Sequence, residues 1–216
     1  MSLLLFGHPF SSYTWKALIP LYANETGFSL RVVGADPADT AFLRKEHPAG
    51  KFPVLVDGDT NVIEATSIIE YLAVHHPGKA PLIPSDPCKA VTVRMLDRVF
   101  DNYAMANVQR VVSAYLKNRA DPDPAELAAG RKGLLRAYQW LESWLAANPL
   151  PAHISLFTCA AAPSLFYADW VEQIPEDCLR VAALRAELLA LPEVARCVDE
   201  ARPYRHLFPM GDPERD

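Results

Sequence analysis

Four prolines within eleven residues, between Pro77 and Pro87, divide this chain into two parts of different character. Proline removes a backbone donor and fits poorly inside helices and central strands, so such a cluster is typical of a linker between domains. Six of the nine glycines precede residue 80, and none lies between Gly133 and Gly211. The sequence therefore predicts an N-terminal unit of strands and turns, followed by a unit of helices.

The N-terminal part alternates short apolar runs with stretches of helical periodicity. In order, the pattern predicts a strand over Ser2 to Phe6, a helix over Tyr13 to Asn24, a strand over Ser29 to Val33, a helix over Thr40 to Glu46, strands over Pro53 to Val56 and Asn61 to Ile63, and a helix over Ala65 to His75. Asp57-Gly58-Asp59 makes the last two strands an antiparallel hairpin. The order βαβ-α-ββα predicts a small α/β sheet domain over residues 1–77.

Helical periodicity dominates after the proline cluster. One long helix is predicted over Val91 to Lys117, with Met95, Val99, Val108 and Val112 as core positions. Further helices are predicted over Ala125 to Ala147, Ser155 to Glu172, Cys178 to Ala190 and Glu193 to Ala201. This pattern indicates an all-α bundle over residues 88–205.

Charge and composition narrow the class of partner. The net charge is −5, with 6 basic and 8 acidic residues up to residue 80 and 15 and 18 beyond it, so neither part offers a basic surface for nucleic acid. The longest apolar tract, Ile154 to Ala168, contains proline and polar residues and is too short for a bilayer. The N-terminus lacks the basic start of a signal peptide, and the four cysteines form no metal or redox motif. We therefore expect a cytoplasmic protein with no metal, nucleic-acid or membrane partner.

Two features of the N-terminal part indicate a ligand site. Phe52-Pro53 directly precedes a strand, where a cis bond would turn the backbone of Phe52 outward to pair with an extended peptide; an edge-strand proline without a ligand is the alternative. Glu64 stands before a predicted helix, whose N-terminal amides bind carboxylates while Glu64 accepts from an ammonium group. An exposed first-turn glutamate that only favours the helix dipole is the alternative reading of Glu64.

Hydroxyl side chains follow the first strand, at Ser11, Ser12 and Thr14. Such residues are common helix N-caps. They also suit a second role, which is donation to a bound thiolate. A hydrogen bond to a charged group contributes about 1.5–3 kcal/mol, enough to lower a thiol pKa by about 1–2 units and so populate the reactive thiolate.

Several segments together resemble the glutathione S-transferases, most of all serine-type members of the phi and zeta classes. The similar segments are Phe6 to Ser11 with Lys16 to Ile19, Pro48 to Asp59, Glu64 to Leu72, and Ser155 to Tyr167 with its Ala160-Ala161-Ala162-Pro163 run. The resemblance covers nearly the whole chain. It implies a thioredoxin-like glutathione-binding domain over residues 1–77, an all-helical domain over 88–205 that lines an acceptor cleft, and a homodimer.

The resemblance also implies roles for individual residues. Ser11 would stabilise the glutathione thiolate, although Ser12, Tyr13 and Thr14 are neighbouring hydroxyl donors. Phe52 would hold the cysteinyl backbone of glutathione, with Pro53 cis. Lys51 lies where such proteins place a polar side chain near the tripeptide.

At the γ-glutamyl end, Glu64 and the backbone amide of Ala65 would bind the head group of glutathione. Ala65 stands where the family has serine, so one side-chain hydrogen bond is missing. An unsatisfied partner costs about 1–3 kcal/mol, although Thr66 or water could compensate. We therefore predict weaker glutathione binding than in a relative with serine.

The implied reaction is attack of glutathione on a small hydrophobic electrophile, in the service of detoxification, with glutathione as co-substrate. Tyr103 and Tyr115 are candidates for the wall of the acceptor cleft, although aromatics at helical spacing are more often core. The alternatives are glutathione-dependent isomerisation, dehalogenation or peroxide reduction, and a non-catalytic ligand-binding or interaction module. In the Ser155 segment, Thr158 replaces the family's acidic capping residue and is expected to be too short to reach the cap amide.

Overall fold

The computed structural model describes residues 3–211 and 213–216. Its strands are β1 (Leu3–Gly7), β2 (Phe28–Val32), β3 (Val54–Asp57) and β4 (Thr60–Ile63). Its α-helices are α1 (Ser12–Ala23), α2 (Pro37–Glu46), α3 (Ala65–His75), α4 (Pro87–Val99), α5 (Ala106–Lys117), α6 (Pro124–Ala147), α7 (Leu156–Val171), α8 (Leu179–Leu189) and α9 (Pro192–Ala201). A π-helical segment (Phe100–Met105) joins α4 to α5, and a 3₁₀ helix (Arg202–Leu207) follows α9. The predicted first residue of β1, Ser2, lies outside the described residues.

The four strands form one mixed sheet in the order β2-β1-β3-β4. β1 and β2 are parallel and connected through α1, whereas β3 pairs antiparallel with both β1 and β4. Leu5 is paired with Leu30 on one side and Leu55 on the other, and this register buries Leu5 and Leu55 completely. The βαβ-α-ββα prediction is confirmed, and the domain has the thioredoxin-like arrangement.

Helix α1 connects the sheet domain to the helices. It packs against α3 on one side and against α7 on the other. Trp15 is fully buried, its ring lies 4.8 Å from that of Phe166 in α7, and its indole N–H donates to the Pro9 carbonyl over 2.6 Å. Because α7 is buried along its whole length, it forms the centre of the helical part and fixes the position of α1. The residues at the start of α1 are thereby held in place.

The prediction of a single helix over Val91 to Lys117 is wrong. In the π-helical segment the hydrogen bonds run from i to i+5, which rotates α5 relative to α4. Val99 and Val108 are buried as predicted, but Met95 is 41% exposed, because α4 directs Leu96 and its neighbours to the core and places Met95 on the outer face.

The start of α7 corrects a second expectation. Thr158 does reach back, because its Oγ1 accepts a hydrogen bond from the Ser155 amide over 3.2 Å. Thr158 stands three residues after the N-cap Ser155, in the capping-box position, and at this spacing a threonine is long enough. Among the cysteines, Cys88 is exposed and the other three are buried, and all four are free thiols. No helix in the described part of the chain combines the length and apolar character needed to cross a membrane.

Candidate glutathione site

A cleft of 680 Å³ runs between the sheet domain and the α4–α5 pair. All six residues predicted for the site line it, namely Ser11, Lys51, Phe52, Pro53, Glu64 and Ala65. Tyr13, His47 and Gly50 complete the sheet-domain wall, and Arg98, Asp101, Asn102, Ala106, Gln109 and Ser113 form the helical wall. The fold thus brings three separate loops of the first domain to one surface.

Ser11 is the N-cap of α1. Its Oγ accepts from the Thr14 amide over 3.3 Å, and its own amide donates to the His8 carbonyl over 3.0 Å. The hydroxyl proton is therefore still available for a ligand in the cleft. Thr14 is fully buried and its Oγ1 accepts from the His8 amide over 3.1 Å, so this hydroxyl faces the protein and not the cleft.

Tyr13 also lines the cleft, but its hydroxyl lies in a different electrostatic environment. Burial, followed by the negative charges of Asp101 and Glu64, raises the pKa of Tyr13 to about 12. The phenol stays protonated at neutral pH, so it can donate a hydrogen bond but cannot act as a base. The groups that surround it belong to the Glu64 end of the cleft.

The Phe52–Pro53 peptide bond is cis, as the sequence predicts. Pro53 is buried, β3 begins at the next residue, and Phe52 is half-buried. In the residues that the structure describes, the backbone N–H and C=O of Phe52 have no hydrogen-bond partner. They are free to pair with an extended peptide. Lys51 is exposed beside them.

Glu64 precedes α3 with a φ of 69°, and its side chain is 71% exposed. The first helical hydrogen bond runs from the Ile68 amide to the Glu64 carbonyl, which leaves the earlier amides of α3 free to bind an anion. His47, which sequence reasoning missed, lies 3.5 Å from Glu64 through Nε2. The His47 Nδ1 accepts from the Ala49 amide over 3.0 Å, a bond that assigns the ring proton to Nε2.

The Thr66 hydroxyl is not available to replace the missing serine hydroxyl at Ala65. Its Oγ1 donates to Asp97 Oδ2 over 3.0 Å and accepts from Lys16 Nζ at 3.2 Å and from Arg98 Nη2. Asp97 and Lys16 are buried beneath the cleft floor, and Arg98 lines the cleft. Of the two replacements expected for the serine hydroxyl, Thr66 is excluded and water remains.

Beneath the cleft lies a buried ionic network that sequence reasoning also missed. Lys16 is 1% exposed and its Nζ contacts Asp97 Oδ1 at 2.7 Å and Asp101 Oδ1 at 2.9 Å. Burial raises the pKa of Asp101, and the ammonium of Lys16 opposes this effect. The network joins α1, α3 and α4. A lone lysine inside the apolar pattern of α1 was the available signal, but its partners stand 81 and 85 residues away.

A second cleft of 310 Å³ adjoins the first and shares Ser11, Tyr13, Phe52 and Gln109 with it. Its other lining residues are Phe10, Ser12, Met105, Val108, Val112, Leu116, Tyr167, Leu207, Phe208 and Pro209, none of which is charged. Tyr103 and Tyr115, the two candidates for its wall, do not line it. Tyr103 is 61% exposed, and Tyr115 packs against the core, which is the commoner position for an aromatic residue at helical spacing.

Comparison with known proteins agrees with this geometry. Residues 5–80 match the family model of the glutathione S-transferase N-terminal domain. Residues 5–80 therefore form a glutathione S-transferase N-terminal domain. The prediction made from the sequence motifs is confirmed at this level.

Proteins similar to this chain match nearly its whole length. It is 26% identical over 214 residues to a probable maleylacetoacetate isomerase of Vibrio cholerae, covering 94% of this chain and 98% of the relative. A glutathione S-transferase of Methylobacillus flagellatus, solved with glutathione bound, aligns with a TM-score of 0.77 at 21% identity, over 91% and 98% of the two chains. A maleylacetoacetate isomerase of Methylobacterium extorquens, solved with malonate and glutathione, aligns at 0.75 and 20% identity over 99% of both chains. The structural matches show the shared fold.

Proposed function

We propose that the chain catalyses attack of the glutathione thiolate on a small apolar electrophile. The observation that carries the proposal is the meeting of two clefts at Ser11. One cleft is polar and contains every residue predicted to hold glutathione, and the other is uncharged and apolar. A thiolate bound at Ser11 would face an electrophile in the apolar cleft.

Activation of the thiol is electrostatic in this proposal. The Ser11 hydroxyl donates to the sulfur, and the free amides at the start of α1 add positive potential at the same place. Because the thiolate is stabilised, the pKa of the glutathione thiol falls towards neutral pH. No covalent intermediate forms on the protein.

Glutathione itself is held along the sheet domain. Phe52 pairs through its free backbone groups with the cysteinyl residue, and Lys51 lies beside the tripeptide. Glu64 accepts from the ammonium of the γ-glutamyl group, whose carboxylate meets the amide of Ala65. In this arrangement residues 1–77 bind glutathione, and the acceptor wall is shared between them and residues 88–205, with Leu207 to Pro209 extending it.

Isomerisation is the second candidate, because two of the similar proteins are named as maleylacetoacetate isomerases. A maleyl substrate carries carboxylates, and the lining of the acceptor cleft offers no cationic side chain to pair with them. Burying an unpaired carboxylate in an apolar cleft is costly. The cleft therefore favours conjugation of an uncharged acceptor over isomerisation of an acidic one.

We further propose a homodimer that uses the outer face of α3 and α4. Val74 is 72% exposed, Val91 65% and Met95 41%, and the Glu70–Arg94 ion pair at 2.8 Å joins the two helices beside them. Such apolar exposure is typical of an interface, and a second copy matches the family resemblance. Free thiols fit a cytoplasmic location, and removal of electrophiles there constitutes detoxification.

Two measurements test the catalytic proposal. The protein is passed over immobilised glutathione, and the absorbance of bound thiolate is then followed during a pH titration. Retention with a lowered thiol pKa supports the enzyme, whereas absence of binding at millimolar glutathione contradicts it. Retention with an unchanged thiol pKa would favour the non-catalytic binding module. A panel of neutral and dicarboxylate electrophiles then separates conjugation from isomerisation.

A further inference from the structure

The start of α3 presents no side-chain hydroxyl to the glutathione cleft. Ala65 has none, the Thr66 hydroxyl is held by Asp97 at 3.0 Å, by Lys16 at 3.2 Å and by Arg98 Nη2, and Ser67 does not line the cleft. A γ-glutamyl carboxylate placed there meets only backbone amides from α3. Because a carboxylate accepts about four hydrogen bonds, it has lone pairs left for another donor.

Arg98 stands across the cleft on α4, with its side chain 52% exposed. Its Nε donates to Asp97 Oδ2 over 3.0 Å, and its Nη2 donates to Asp101 Oδ2 over 2.8 Å and also to Asp97 Oδ2 and Thr66 Oγ1. These bonds fix the plane of the guanidinium group. Among the residues that the structure describes, none accepts a hydrogen bond from Nη1. Arg98 is thus a pre-oriented cation with donors to spare.

The charge balance beneath the cleft leaves Arg98 able to attract a ligand. Lys16 and Arg98 both pair with Asp97 and Asp101. The two carboxylates are therefore balanced by two cations, and Arg98 does not face their negative charge by itself. Burial lowers the pKa of Arg98, but the surrounding carboxylates, Glu64 among them, outweigh it and hold the pKa above its usual value. One cleft therefore combines the positive charge of Arg98 with the negative charge of Glu64.

We infer that Arg98 binds the α-carboxylate of the γ-glutamyl group and takes the place of the hydroxyl that Ala65 lacks. This inference rests on the proposed glutathione function. A zwitterionic head group fits the cleft because its ammonium meets Glu64 while its carboxylate meets Arg98 and the α3 amides. Arg98 is a binding residue in this role, and the thiol chemistry at Ser11 does not involve it.

The test varies both the protein and the ligand. Titration calorimetry measures the affinity of glutathione and of 4-aminobutanoyl-Cys-Gly, which lacks only the α-carboxylate. Arg98→Gln should weaken glutathione binding about tenfold, as expected for the loss of a charge-assisted hydrogen bond, and leave the affinity of the analogue unchanged. Arg110→Gln is the matched control, since Arg110 is paired with exposed Glu126 outside the cleft, and it should change neither affinity.

An equal loss of affinity for both ligands in Arg98→Gln would overturn the inference, because a merely structural role affects both alike. If Arg98→Gln does not fold, Arg98→Lys keeps the charge of the network and should still weaken only the carboxylate ligand, by about threefold. Adding Ala65→Ser to either variant should restore part of the affinity for glutathione. If the wild-type protein binds neither glutathione nor the analogue, the proposed function itself is contradicted. The wild-type titrations show this result before any variant is made.

Discussion

The Thr14 amide donates to Ser11 Oγ over 3.3 Å, so one serine both caps α1 and offers its hydroxyl proton to the cleft. The two roles use different parts of the hydroxyl. The oxygen lone pair stabilises the helix end, and the proton remains for a thiolate. A substitution that keeps the cap but removes the hydroxyl therefore separates stability from chemistry.

Replacing Ser11 tests this separation. Ser11→Ala should raise the pKa of the bound glutathione thiol by about 1–2 units, because the donor to the thiolate is lost. It should also lower the free energy of unfolding by about 1 kcal/mol through loss of the cap. Ser11→Gly should raise the thiol pKa equally at a stability cost of only a few tenths of a kcal/mol. Thiolate absorbance and urea denaturation measure the two effects, and an unchanged thiol pKa in both variants would remove Ser11 from the mechanism.

Tyr13→Phe distinguishes the neighbouring hydroxyl from Ser11. The Tyr13 phenol, with a pKa of about 12, lies in the field of Asp101 and Glu64, at the end of the cleft where we propose that the γ-glutamyl group binds. We expect the variant to leave the thiol pKa unchanged and to raise KM for glutathione. The same absorbance titration and steady-state kinetics check this result. A rise in thiol pKa as large as that of Ser11→Ala would assign activation to the tyrosine.

Ala65→Ser should tighten glutathione binding about fivefold, the value of one net hydrogen bond to the γ-glutamyl carboxylate. The position is buried at the start of α3, where serine is well tolerated in a first turn. Ala73→Ser, later in the same helix, is the control for a serine that does not face the cleft. The measurement is the dissociation constant by calorimetry, and no improvement in Ala65→Ser would show that Ala65 does not limit affinity.

Local motifs were sufficient to predict the loops that line the sheet-domain side of the cleft. Ser11 before a helix, Phe52-Pro53 before a strand and Glu64 before another helix each follow from neighbours in the chain, and the parallel-antiparallel topology brings them together. The βαβ-α-ββα order was accessible for the same reason, since hydrophobic period and turn residues are local signals. Element ends differed by a few residues where capping decides the boundary.

The helical wall could not be predicted in the same way. Arg98 and Asp101 enter the cleft because α4 packs near α3 and changes to π-helical geometry at Phe100, and neither event leaves a local pattern. Met95 has the apolar spacing of a core residue, but it lies on the outer face of α4. Apolar spacing alone does not show whether a helix face meets the core or another surface. Long-range pairing and helix register decide these positions.

The exposed apolar residues of α3 and α4 lead to a prediction about assembly. Val91→Glu should convert a dimer into a monomer, because it places a charge in an apolar interface whose neighbouring cation, Arg94, is already paired with Glu70. Leu179→Glu is the control, since Leu179 is 70% exposed on α8 and lies outside the proposed interface. Light scattering after size exclusion measures the mass. A monomeric wild-type protein, or a dimeric Val91→Glu, would contradict the proposed interface.

The buried network beneath the site predicts a pH-dependent loss of stability. Lys16→Met removes the buried cation that contacts Asp97 and Asp101, leaving two buried carboxylates with only Arg98, and should lower the free energy of unfolding at pH 7 by about 3–5 kcal/mol.

Burial already raises the pKa of Asp101, and without Lys16 the pKa rises further. An acid whose folded-state pKa exceeds its unfolded value binds more protons when folded, so stability falls as pH rises through that window. The loss of unfolding free energy caused by Lys16→Met, relative to wild type, should therefore be smaller at pH 5 than at pH 7. Urea denaturation at both pH values measures the difference, with Lys89→Met on the surface as control. If Lys16→Met lowers the free energy of unfolding by the same amount at both pH values, the cause is the lost packing of the Lys16 side chain and not an uncompensated charge.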